Sequence, residues 1–181
     1  MWKKALSTLV KMDSKEEWDE LDVVSKWLIA TRSAVTIVTL YSCAIGGLLA
    51  IRHGYFNDNW GMSILAWVIV TLGLFIAHGT NNFLNDYTDF ARGVDTESYF
   101  RTQYSVHPLI QKFWSKEQQF RWFAISGTLA MLAGLFALFT PTSRSTSLFS
   151  SLWARWCCCF IPGHLSISLW ESFPFFLSGD R

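Results

Sequence analysis

"WGMSILAWVIVTLGLFIAHGTNNFLNDYTDFARGVD", residues 60–95, decides how the rest of the chain is read. From Trp60 to Asn85 it carries no Asp, Glu, Lys or Arg. A bilayer core about 30 Å thick needs about 20 residues of helix, so this run is long enough to cross it. Its Gly and Thr residues do not count against a span, because lipid enforces internal backbone hydrogen bonding. Directly after it come Asn85, Asp86, Asp89 and Asp95, four oxygen-bearing side chains at the mouth of the helix.

Two further stretches, residues 33–51 and 123–143, are also free of charge and near spanning length. Half the chain is apolar (51%) and charged residues are only 16%, against about 25% in ordinary globular domains. The expected fold is therefore an all-α membrane protein with three transmembrane helices. A fourth apolar region in the tail is ambiguous.

The net charge of +1 gives no reason to expect a nucleic-acid partner. Its distribution says more. Lys3, Lys4, Lys11, Lys15 and Lys26 precede the first span, and Arg92, Arg101, Lys112, Lys116 and Arg121 lie in the long 86–121 loop. The 52–59 loop has only Arg52. The positive-inside bias puts the N-terminus and the acidic cluster on the cytoplasmic side. The start of the chain lacks the apolar run of a cleavable signal, being broken by Lys11. Ser14 and Glu17 have capping-box spacing, and Trp18, Leu21, Val24, Trp27 and Leu28 recur at helical intervals. One amphipathic helix over 14–27, lying at the membrane interface, is predicted; an ordinary exposed helical turn would fit as well.

If the second span continues as helix, Asn85 and Asp89 stand four apart and Asp86 and Asp89 three apart, so all three share one face. Carboxylates crowded in this way repel unless a cation sits among them. Hard oxygen donors on successive turns suit Mg²⁺, which keeps several waters and is commonly completed by phosphate oxygens. Gly93 lets the helix end, leaving Asp95 on a turn able to fold back toward the same ion. A diphosphate–magnesium site beside a membrane cavity is the chemistry this spacing suggests. The competing reading is that these residues only mark the water boundary.

The stretch "NDYTDFARGVD" resembles the first aspartate-rich motif of the UbiA superfamily of intramembrane aromatic prenyltransferases, in the form found in the dihydroxynaphthoate (menaquinone-type) branch. "WLIATRSAVTIVTL" is similar to the family's first-helix motif, usually Ala-Arg-Pro, with Arg32 matching and Ser33 in place of the proline. The resemblance covers roughly residues 25–140. It implies a Mg²⁺-dependent enzyme of quinone biosynthesis, most simply menaquinone, in a bacterial inner membrane, with an archaeal or organelle membrane as alternatives. Such an enzyme ionises a polyprenyl diphosphate and lets an aromatic acceptor such as dihydroxynaphthoate attack the allylic cation. Carried over, Asp86 and Asp89 are catalytic, and Asn85, Asp86, Asp89 and Asp95 hold the metal. Asn85, Arg32 and Lys112 bind diphosphate, although Arg32 could equally snorkel to lipid headgroups. The 104–114 segment could cap the cavity with His107 and Lys112, or be an interfacial turn anchored by Tyr104 and Trp114. His78 could belong to the site or simply to the interface.

Family members carry a second aspartate-rich motif in a nine-helix bundle, and here one motif is present. The tail departs in kind, with a Ser-rich stretch followed by Cys157, Cys158 and Cys159. No second cysteine cluster accompanies them, so a zinc site is not expected. Translated one base out of frame, Trp153–Ala154 must give Gly, Trp156–Cys157 Val, each Cys–Cys junction Leu, and Trp170–Glu171 Gly. Those forced residues fall where the family has Gly and aliphatic positions. The expectation is an interfacial segment at 1–27, the N-terminal part of a prenyltransferase bundle at 28–140, and an out-of-frame tail at 141–181. Such a truncated chain would be inactive alone. The rival function is a small non-catalytic membrane protein whose acidic loop binds cations or a partner. A lipid phosphatase or phosphoalcohol transferase is disfavoured, because the Asp-Gly-x-x-Ala-Arg pattern and the Arg and His pairs they need are missing.

Overall fold

The computed structural model describes residues 6, 11–12, 14–94 and 105–139. Asp95, Tyr104 and the whole 141–181 tail lie outside them. The described residues are helical, without strands: α1 Lys15–Asp19, α2 Val23–Ala30, α3 Ser33–Arg52, α4 Trp60–Ala91 and α5 Lys116–Phe139. Three of these, α3, α4 and α5, are long and apolar enough to cross a membrane. The chain is thus an all-α membrane-type protein.

The single helix expected at 14–27 is two. Ser14 does cap α1, accepting from the Glu17 N–H at 3.3 Å. Asp22 then opens a new helix, its Oδ1 accepting from the Ser25 N–H at 2.9 Å and its Oδ2 from the Ser25 hydroxyl at 2.6 Å. A side chain that offers the backbone a cap competes with continued helix, and here the cap wins. Nor is Trp18 left to the interface. It is buried, stacked on Phe113 at 5.5 Å between ring centroids and edge-on to Trp114 at 5.3 Å.

α5 begins at Lys116, ahead of the charge-free run that suggested it. Ser115 and Gln118 form a reciprocal cap: the Gln118 N–H donates to Ser115 Oγ at 3.2 Å, and the Ser115 N–H to Gln118 Oε1 at 2.8 Å. That pairing satisfies two donors a helix start leaves open. The polar first turn can therefore stay helical.

α4 packs along α5 and, less extensively, along α3. Small residues set the approach: a Cβ on Gly73 would stand 2.6 Å from the Ala133 Cβ. Such contacts are how spanning helices associate where lipid removes the hydrophobic drive between them. Polar side chains join α3 to α4: the Thr39 hydroxyl lies 2.7 Å from His78 Nδ1, and Trp67 Nε1 donates to the Cys43 carbonyl at 3.0 Å. His78 is thereby a helix–helix fastener. On the outside Val35, Val38, Tyr41, Ile45, Leu48, Leu72, Leu129 and Leu132 are exposed. A surface this apolar makes physical sense against acyl chains.

The buried apolar cluster lies toward the Asp86 end of α4. Met12, Trp18, Ile29, Ala30, Phe83, Val106, Phe113 and Trp114 form it, with Trp122 stacked on Trp114 at 6.0 Å. It gathers α1, α2, the 105–115 loop and the last turns of α4 at the place where the acidic motif begins.

Candidate functional site

α4 runs unbroken through Asn85, Asp86 and Asp89, as their spacing predicts, and ends at Ala91. The Gly93 N–H donates to the Phe90 carbonyl at 3.2 Å and the Val94 N–H to the Asp89 carbonyl at 3.0 Å, with Gly93 at φ 69°. This is the two-bond C-terminal motif that needs a left-handed residue, which glycine adopts without a Cβ penalty. The motif's helical part is therefore closed by a defined cap just before Asp95 in sequence.

The three helical motif residues share a face but not an environment. Asn85 and Asp89 are partly exposed, whereas Asp86 is entirely buried. The Asp86 carboxylate accepts from Arg32 Nη2 in an ion pair. Arg32 sits between α2 and α3 with φ 57° and ψ 50°, a left-handed conformation uncommon for a residue with a side chain. A neighbouring bond fixes the same corner. Asn82 Nδ2 donates to the carbonyl of Thr31, the residue that closes α2, at 2.7 Å. One of the carbonyls orphaned at that helix end is thus satisfied from α4. Gly79 allows the approach, since a Cβ there would be 2.9 Å from Thr31 Cγ2.

His107 is buried in the loop before α5, its backbone N–H donating to Gln111 Oε1 at 3.1 Å. Burial, reinforced by the positive Arg32 nearby, pushes its imidazole down to about 4, so the ring is neutral at pH 7. Gln119, also buried, donates from Nε2 to the Phe83 carbonyl at 3.4 Å. Trp27 Nε1 donates to Ser126 Oγ at 2.8 Å and ties α2 to α5. Lys116 at the start of α5 places its Nζ 5.3 Å from the Phe90 ring centroid, beside the end of α4.

Of the residues singled out from sequence, the fold brings Arg32, Asp86 and His107 together and sets Asn85 and Asp89 on the same helix end. Lys112 is exposed on the loop, in a left-handed conformation at φ 59°, while its neighbours 106–110 and 113–114 are buried. The 105–115 loop is thus packed against the helices beside it. Asn82, Thr31 and Gln119 were not expected. Asn82 could have been found, because it stands four residues before Asp86 and therefore on its face.

Among the described residues no three His, Cys, Asp or Glu side chains converge as a metal site. Magnesium does not demand such a cage, since one or two protein oxygens completed by water and phosphate suffice. Asn85 and Asp89, partly exposed one turn apart, fit that role. Asp86 does not, because its carboxylate is sealed and neutralised by a guanidinium. Comparison with protein-family models, with curated proteins and with solved structures finds no match for this chain.

Proposed function

We propose that this chain is the N-terminal part of a magnesium-dependent intramembrane prenyltransferase, acting on a polyprenyl diphosphate and an aromatic quinone precursor such as dihydroxynaphthoate. The observation that carries this reading is one spanning helix, α4, that delivers Asn85 and Asp89 on one face at its end and terminates in a fixed turn toward Asp95. Apolar helix surfaces along the bilayer would keep company with a prenyl chain, while the oxygen donors stand at the end where a diphosphate belongs. The charge asymmetry of the loops supports a cytoplasmic position for that end, and a bacterial inner membrane suits the quinone chemistry.

In this reading Asn85 and Asp89, with Asp95 beyond the turn, hold Mg²⁺. The ion offsets the charge of the departing diphosphate. Arg32 keeps 27% of its side chain exposed, so its guanidinium can meet an anion while still held by Asp86. Lys116 adds positive charge at the same helix end. Neutral His107 and the Trp18–Trp114 packing exclude water from beneath the site.

The test is binding of a fluorescent polyprenyl diphosphate to the purified chain in nanodiscs, with and without Mg²⁺. Magnesium-dependent binding that Asp89→Asn weakens roughly tenfold is expected. Binding indifferent to both would refute the proposal. Because a second aspartate motif is missing from this chain, prenyl transfer by it alone is not expected; turnover abolished by Asp89→Asn would show that one motif suffices.

A further inference from the structure

The four acidic-motif residues divide into two jobs, and we infer that Asp86 is not a magnesium ligand but the anchor that holds Arg32 and the α2–α3 corner against α4. The inference rests on the proposed site for what Asn85 and Asp89 do, and on the fold for what Asp86 does.

Three observations converge on the corner. Asp86 is wholly buried and its carboxylate pairs with Arg32 Nη2. One turn earlier on the same face, Asn82 reaches the Thr31 carbonyl, the residue next to Arg32. Arg32 itself occupies a left-handed conformation, which costs energy and persists only where its surroundings hold it. Thr31, Ser33 and Thr36 around it are all buried. Two bonds from α4 thus grip consecutive residues of a strained turn.

Such a grip has a chemical consequence for the motif. A carboxylate that gave up Arg32 for a metal ion would leave a guanidinium with its Nε already buried and unbonded among the described residues. It would also release the left-handed turn. The ion pair and metal ligation therefore compete, and the buried geometry favours the pair. Arg32 in turn becomes a positioning element for the diphosphate, its fork held at a set place by a residue that never touches substrate.

The experiment is a double-mutant cycle on the chain in nanodiscs with Arg32→Gln, Asp86→Asn and the two combined. Thermal unfolding and Mn²⁺ affinity, the latter by electron paramagnetic resonance, are the readouts. Each single substitution should lower Tm by several degrees, and the combined variant by clearly less than the sum, because it strands no lone buried charge. Mn²⁺ affinity of Asp86→Asn should stay within about threefold of the parent chain, while Asp89→Asn loses roughly tenfold. Additive Tm losses would overturn the anchor. So would a tenfold Mn²⁺ loss in Asp86→Asn at unchanged Tm. If the parent chain binds no Mn²⁺, the proposed function fails, and the Tm cycle alone still decides the role of Asp86. Should either single variant not fold, an engineered disulfide pair across α2 and α4, formed in the parent chain and lost in Asp86→Asn, makes the same decision in membranes.

Discussion

The two ends of α4 solve the same problem with opposite chemistry. At the Trp60 end, Asn59 caps the helix by accepting from the Met62 N–H at 3.1 Å, and aromatic rings do the rest. Phe56 packs edge-on to Trp60 at 5.5 Å and to Trp67 at 6.5 Å. Among the described residues no ionisable side chain is buried there. At the Asp86 end the helix is held through a buried carboxylate, a guanidinium and an amide on a carbonyl. Ring packing could have held that end too, and the Trp18–Trp114 core beside it shows that rings are available. Buried charge is weak evidence for stability, because replacing a pair with apolar groups is often no worse. Among the described residues α4 buries charge at this end alone, where the pair fixes the α2–α3 corner.

The contrast can be broken most forcefully at Asp86. Asp86→Ala strands the Arg32 charge and should destabilise the fold by about 3–5 kcal/mol, read by thermal or denaturant unfolding in a membrane mimic. A loss near that of an ordinary surface change would erase the distinction between the two ends. Next in size is acid. The His107 imidazole is held down at about 4, below the usual value near 6.5 of an unfolded chain. Between those values the unfolded state binds the proton and the folded state does not. The stabilisation from keeping His107 neutral is therefore full above about pH 6.5 and declines as pH falls toward 4, amounting to about 3 kcal/mol in all. His107→Gln should flatten that slope. Smallest is the other end, where Asn59→Ala removes a cap worth about 1 kcal/mol and should leave the acid response untouched.

Sequence went furthest where the physics is local. The three spans follow from charge-free runs, the cap at Ser14 from its spacing to Glu17, and the stop of α4 from Gly93. The break before α2 was also written locally, in Asp22 and Ser25, but apolar periodicity running through it masked the cap. The Ser115–Gln118 box was equally legible and shows why α5 starts before its apolar part. Arg32 and Asp86 are another matter. They stand 54 residues apart, and nothing in either neighbourhood says that one carboxylate of a shared helical face turns inward while Asn85 and Asp89 do not. That choice depends on where α2 docks, a tertiary fact. The burial of His107 is likewise a tertiary fact that no periodicity announces.

α4 has 32 residues, which at 1.5 Å each makes a rod about 48 Å long against a hydrocarbon slab of about 30 Å. α3, with 20 residues, matches the slab alone. With the Trp60 end at one interface, an untilted α4 would carry Asn85 and Asp89 beyond the hydrocarbon on the other side. The excess length therefore separates the two parts of one helix: its apolar turns fill the slab, and its polar last turns have no need to enter it.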